Sequence, residues 1–94
     1  MHAHNMTLID EIRNRLNSLE PTQLDIQDDS AQHAGHAGNR GGGHFTVMIV
    51  SSQFCGKSQI IRHRSVYQAL AELMTHQIHA LSIHAIATDE LYSQ

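Results

Sequence analysis

The stretch HAGHAGNRGGGH, residues 33 to 44, is the part of the sequence best suited to binding a metal. It contains three histidines and five glycines and no large apolar side chain. Neutral imidazole is a common ligand for zinc, iron, copper and nickel, and glycine lets a chain bend around a metal centre. His33 and His36 are three residues apart, and His44 closes the stretch. A solvated loop is the alternative, because neither a matching cysteine pair nor an HExxH helix accompanies these histidines.

A second group of chemistry-bearing residues follows in FCGKSQIIRHR, residues 54 to 64. Cys55, the only cysteine of the chain, is predicted to be a small turn residue, because reactive thiols need a specific electropositive setting. A role as a nucleophile stays open. A local positive patch on a chain of net charge −3 is made by Lys57, Arg62, His63 and Arg64. This patch is either a solvated helix start with salt bridges or a contact for a protein partner or nucleic acid.

Two helical regions are predicted to support these residues. Residues 7–19 form an amphipathic helix with Thr7 as its N-cap, and Pro21 ends it and holds Glu20 in an extended conformation. A second helical region begins near Ser58, and 58–63 as a separate short helix is an open alternative. Its apolar stripe is Val66, Ala69, Leu70, Leu73 and Met74.

Three strands complete the predicted order α-β-β-α-α-β. They span 23–28, 44–52 and 80–87, and the second is apolar on both faces, as a central strand is. A loop over 29–43 makes the first two strands antiparallel, whereas a right-handed helical crossover makes the last one parallel to the second. His79 stands just before the last strand, where a histidine is usually structural, but the long loop can fold towards it. The fold class is α+β, with helices on one face of a three-stranded mixed sheet.

Composition limits what such a chain can do. Its 94 residues are enough for one domain with one modest core. Only six lysines and arginines argue against a general polyanion binder, and one cysteine excludes an internal disulfide. The sequence has neither a signal-peptide pattern nor an apolar run long enough to span a membrane. We therefore expect a cytoplasmic protein, with no membrane partner.

The motifs together resemble one known family. FCGKSQIIRHRSVYQAL fits the pattern F-x-G-x5-R-H-R-x-V-Y-x2-L, HAGHAG and GGHF precede it, and IHALSIHA follows it. In this order they are similar to the BolA family. The resemblance covers residues 7–90, with 1–6 as a flexible N-terminus and 91–94 as a C-terminal tail, and it implies a class II KH-like fold.

The resemblance also implies a function. It indicates a non-enzymatic partner of monothiol glutaredoxins that shares a 2Fe–2S cluster, in iron–sulfur trafficking or iron and redox regulation. The glutaredoxin supplies a cysteine, glutathione supplies a second thiolate, and this chain supplies His79 and a loop histidine. His36 is the best match for the loop ligand and His33 is the alternative. No cluster is expected in the isolated chain, which we predict to be a monomer or a weak homodimer.

An alternative function and two departures accompany the resemblance. Family members are also described as DNA-binding regulators linked to stress, for which the residues of the positive patch would be the contacts. An enzyme has the least support, because no catalytic constellation is visible. The departures are Gly43, where the family usually has Ser or Thr and which is predicted to loosen the strand start, and Cys55, which is either inert or a competing ligand.

Overall fold

The computed structural model describes residues 7–30 and 43–92 and has the predicted order of helices and strands. Short 3-10 helices follow α1, β2 and β3. The bounds are α1 Leu8–Leu16, β1 Pro21–Asp28, β2 Gly43–Ser51, α2 Gln59–Ala69, α3 Ala71–Met74 and β3 Ile78–Ala87. The N-terminal residues 1–6 and the loop residues 31–42 lie outside the described residues, as do 93 and 94.

The three strands form one mixed sheet in the order β1-β2-β3. β1 is antiparallel to β2, and β3 is parallel to β2, so both predicted orientations and the central position of β2 are confirmed. The helices cover one face of the sheet. Their buried side chains meet the inward-facing side chains of the strands in a single cluster made mainly of Ile12, Leu16, Phe45, Val47, Ile49, Phe54, Val66, Leu70, Leu73, Ile78 and Ala85.

The first helix begins as its sequence predicts and ends differently. Thr7 and Asp10 form a capping box, in which each side chain bonds the backbone N–H of the other residue. The prediction that Glu20 is extended is wrong, because Glu20 has φ 53° and ψ 54°. Its N–H donates to the Asn17 carbonyl oxygen at 2.9 Å. This left-handed residue reverses the chain directly into β1, so the strand begins at Pro21.

The second helical region is continuous over 59–69, so the alternative of a separate short helix over 58–63 is wrong. Ser58 caps it, since its hydroxyl accepts a hydrogen bond from the Ile61 N–H at 3.2 Å. The break comes at Leu70, whose φ of −102° and ψ of 10° lie off the helical values. The turn there allows both Leu70 and Leu73 to reach the core. None of the helices in the described ranges is long and apolar enough to cross a membrane.

Arg62 is a buried anchor of the fold rather than part of a surface patch. Only 4% of the residue is exposed. Its guanidinium donates to the carbonyl oxygens of Lys57 and Ala85, at 2.9 and 3.0 Å, and to both Glu90 carboxylate oxygens at 2.8 Å. The expectation of a four-residue surface patch is therefore corrected, because Arg62 ties the start of α2 to β3 and to the C-terminal turn.

The Glu90 carboxylate completes this anchor. It also accepts a hydrogen bond from the Ala87 N–H at 2.9 Å. The Arg62 hydrogen bond, helped by the Ala87 N–H, lowers the pKa of Glu90 from 4.5 to about 2. Because a folded-state pKa below the unfolded value favours folding of the ionised form, this contribution is complete above about pH 4.5 and is lost as the pH falls towards about 2.

We expect Glu90→Gln to lower the unfolding free energy at neutral pH and to make its fall between about pH 5 and pH 2 shallower. The variant keeps the shape of the side chain but leaves the buried Arg62 without its counter-ion. Denaturant unfolding at a series of pH values measures both effects. The matched control is Glu72→Gln, because the Glu72–Arg15 ion pair is exposed and surface pairs contribute little. Equal behaviour of the two variants would contradict the anchor.

Gly43 is firmly held, contrary to the expectation that it loosens the strand start. It is the buried first residue of β2, and its N–H donates to the Gln77 carbonyl oxygen at 3.1 Å. A β-carbon at this position would clash with the Phe45 ring and lie 3.0 Å from the Gln77 oxygen. The space that a side chain would need is therefore filled by Phe45.

We expect Gly43→Ala to destabilise the fold by about 1–3 kcal/mol, the usual cost of overpacking a filled site. The double variant Gly43→Ala with Phe45→Leu separates the clash from other effects, because the smaller side chain gives the new methyl group room. The added cost of Gly43→Ala should be smaller in the Phe45→Leu background, measured by the shift in the denaturant midpoint. An equal cost in both backgrounds would rule out the ring as the obstacle.

Candidate metal-ligating site

Two histidines of neighbouring strands face each other at one end of the sheet. His79 is exposed on β3 and His44 is half-buried on β2. Their ring centroids are 5.2 Å apart and the rings are tilted by 43°. His79 was predicted just before the last strand, but β3 begins two residues earlier than predicted, so His79 lies within the sheet.

A register shift explains why His79 is exposed at this point. Gly43 pairs with Ile78, and the next residue, His44, pairs with Ala80, so β3 has one extra residue. Ile78 and Leu81 both pack against the core, and His79 and Ala80 between them are both exposed. Regular alternation would have turned one of these two inwards. Such irregularities re-aim a side chain, and here the side chain is His79.

The strand segment that carries His44 is fixed by hydrogen bonds on both sides. The His44 N–H donates to the Ser30 hydroxyl at 3.0 Å, and its carbonyl oxygen accepts from the Asp29 N–H at 2.7 Å. Together with the Gly43 bond to Gln77, these contacts set the position of the His44 backbone before any ligand binds.

The geometry and chemistry of this pair fit a metal centre. Two imidazoles bound to one ion at about 2 Å have ring centroids about 5 Å apart, close to the observed distance. The pair is not a complete site. Among residues 7–30 and 43–92, no group of three or more His, Cys, Asp or Glu side chains is placed to hold a metal ion.

The predicted loop ligands His36 and His33 lie outside the described residues. The ends of their segment are described, and both are at this end of the sheet. Ser30 bonds the His44 backbone, and Gly43 bonds the residue before Ile78. The chain therefore leaves and re-enters the described structure beside His44 and His79.

Cys55 lies at the opposite end of the sheet. It packs against the core, and its sulfur is 3.5 Å from the Thr88 hydroxyl. Thr88 follows His79 by nine residues along β3, which is about 30 Å of extended chain. Cys55 therefore cannot join His79 on one metal centre, which removes the competing-ligand alternative for that site.

The remaining residues of the predicted positive patch are at the surface. Lys57 and Arg64 are exposed and His63 is half-buried. Lys57 lies in the turn before α2, where its ammonium group donates to the Gln53 carbonyl oxygen at 3.4 Å. Arg62 and Arg64 point to different sides of α2, as their spacing predicts.

Sequence reasoning missed His44, whose ring faces His79, and Glu90, which pairs with Arg62. The sequence shows His44 only as the end of the His-rich stretch, because its contact with His79 depends on the register of the parallel strands β2 and β3. The sequence signal for the register shift was the spacing of Ile78 and Leu81, because two apolar residues three apart in a regular strand would face opposite sides of the sheet. Glu90 had no sequence signal, since it lies 28 residues after Arg62.

A family model described as BolA-like protein matches residues 16–90 of the chain. Among curated proteins, the chain is 51% identical to Protein BOLA1, chloroplastic, of Arabidopsis thaliana over 69 residues, which are 69% of this chain and 43% of that protein. It is 34% identical to the DNA-binding transcriptional regulator BolA of Escherichia coli over 86 residues, which are 90% of this chain and 80% of that protein.

Comparison with solved structures points to the same family. The fold matches BolA1 from Arabidopsis thaliana with a TM-score of 0.75 and 40% identity, covering 96% of this chain and 98% of that one. The chain spans less than half the length of the Arabidopsis curated relative, so it corresponds to one part of that protein. Both sequence and fold lead to one conclusion: this chain belongs to the BolA-like protein family.

Proposed function

We propose that this BolA-like chain pairs with a monothiol glutaredoxin and shares a 2Fe–2S cluster with it. The observation that carries the proposal is the placement of His79, which is exposed at the end of the sheet where the His-rich segment begins and ends. One imidazole is thus available there, and His36 or His33 would supply a second from the segment between Ser30 and Gly43.

The lack of a local thiol supports a shared site. Such a cluster needs four ligands, usually thiolates. Cys55 is the only thiol of the chain, and it packs near Thr88 at the far end of β3. Thiolates would therefore have to come from other molecules, which fits a glutaredoxin cysteine and glutathione.

The residues of this chain would have defined tasks. His79 would bind one iron through a ring nitrogen, and the register shift would hold that ring towards the partner. A bound cluster would supply a redox-active iron centre, whose potential rises where imidazole replaces thiolate. Because a ligating imidazole must be deprotonated, the shared site would weaken at acid pH.

We expect His79→Ala to abolish the spectral change that follows mixing with a cluster-loaded, glutathione-bound monothiol glutaredoxin at one-to-one stoichiometry. Visible absorption and circular dichroism report the ligand environment of the cluster. The matched control is His84→Ala, an exposed histidine of the same strand that pairs with Met48, about 17 Å away. An unchanged spectrum with His79→Ala, or an equal loss with His84→Ala, would overturn the ligand assignment.

The loop ligand needs its own variants. His36→Ala should weaken the spectral change, and the double variant with His33→Ala should remove what remains if His33 substitutes. A full spectral change in the double variant would mean that the second ligand lies outside the segment.

DNA binding is the second candidate, and a specific relative favours it. The Escherichia coli relative, of which the chain covers 80%, is named DNA-binding transcriptional regulator BolA. Lys57 in the turn before α2 and Arg64 within α2 are both exposed and could contact phosphates. The burial of Arg62 and the net charge of −3 both reduce the attraction.

We expect the double variant Lys57→Ala with Arg64→Ala to weaken any DNA binding and to flatten its salt dependence, because each phosphate contact adds to the slope. Fluorescence anisotropy with a labelled duplex at several salt concentrations measures both. Arg13→Ala on α1 removes an exposed charge elsewhere and serves as the control. Equal effects of the two variants would argue against a DNA contact through Lys57 and Arg64.

The other functional expectations stay predictions. They are the absence of enzymatic activity, the monomeric or weakly dimeric state, and the cytoplasmic location. The last needs its own measurement, since one relative has chloroplastic in its name.

A further inference from the structure

We propose that His44 and His79 together form a binding site for a single divalent transition-metal ion, which this chain binds without glutaredoxin or glutathione. The site is a two-imidazole clamp at the end of the β2–β3 pair, and water completes the coordination. Imidazole ligands suit zinc, copper, nickel and iron, so the chemical class is a borderline first-row divalent ion.

The ring geometry matches a chelate. The centroids are 5.2 Å apart, and the rings are neither parallel nor stacked, since their planes differ by 43°. Two imidazoles on one ion at about 2 Å require about this separation.

The site is organised before the ion arrives. His44 is held through Ser30 and Asp29, and His79 is the extra residue of β3, between the pairs Gly43–Ile78 and His44–Ala80. A ligand pair on paired strands loses little backbone entropy when it binds a metal ion, because the strands already hold the backbone. This favours the pair on the strands as a site that the chain offers by itself.

The surrounding charge favours a cation. Asp29 bonds the His44 backbone, and its carboxylate accepts hydrogen bonds from the Thr46 hydroxyl at 2.5 Å and the Gln27 amide at 2.7 Å. Thr46 lies two residues after His44, so this carboxylate is on the same face of the sheet as the His44 ring.

This inference goes beyond the proposed function and does not depend on it. The shared cluster needs thiolates from other molecules and a histidine of the loop, whereas the clamp needs only two side chains of the described strands. Both proposals use His79 and they differ in the second imidazole, so each has a variant that does not involve the other. His44→Ala tests the clamp, and the His36 and His33 variants test the loop ligand.

The experiment is a titration of the full, metal-free chain with Zn²⁺ alone, followed by nuclear magnetic resonance of the histidine ring signals. The chain has nine histidines, so a site-resolved readout separates the clamp from binding elsewhere. We expect the ring signals of His44 and His79 to shift together with one common half-saturation. His44→Ala and His79→Ala should each raise the dissociation constant at this site by about tenfold or more.

His84→Ala is the matched control, because this exposed histidine lies on the same strand without a histidine opposite it. It should leave the dissociation constant unchanged. Should His44→Ala unfold the chain, His44→Gln keeps a polar side chain of similar length and tests the same ligand. The inference is overturned if no signal shifts, if shifts are confined to other histidines, or if the response of His79 is the same without His44.

Discussion

The parallel pairing of β2 with β3 is the constraint on which the rest of the molecule depends. β2 is the central strand, and its inward-facing side chains Phe45, Val47 and Ile49 lie at the middle of the core. A parallel partner requires a crossover, which α2 and α3 provide, and the crossover covers the face that those side chains make apolar. The helices, the core and the exposed face all follow from this pairing.

The two ends of β3 make different kinds of contact. At its C-terminal end, the buried Arg62 bonds Ala85 and Glu90, and Cys55 packs beside Thr88. Buried charges need such complete pairing, because an unpaired one is costly. At its N-terminal end, one extra residue places His79 at the surface opposite His44. The buried ion pair thus lies at one end of β3, and the paired histidines lie at the other.

This separation has a chemical consequence. A thiol near His79 would allow the chain to build a mixed site by itself, whereas Cys55 is held about 30 Å away along the strand. The two side chains that face each other at this end of the described strands are imidazoles. Imidazole is a neutral ligand that binds borderline metal ions.

The sequence by itself determined the order of elements, the capped first helix and the orientation of the strands. These follow from local rules, namely hydrophobic period, capping residues such as Thr7 and Ser58, and the number of residues between strands. The motif around His79 also needed no structure, because its residues are contiguous. Family membership could therefore be predicted.

Only the tertiary structure decided the partners of residues far apart in the chain. Arg62 stands in a run of basic residues that is typical of a surface patch. It is buried instead, and its burial depends on Glu90, 28 residues later. Glu20 and Leu70 have backbone conformations set by where the next element must begin. His44 and His79 are 35 positions apart, and a one-residue register shift brings their rings together. Register is a cooperative property of two strands and a core, so no single segment specifies it.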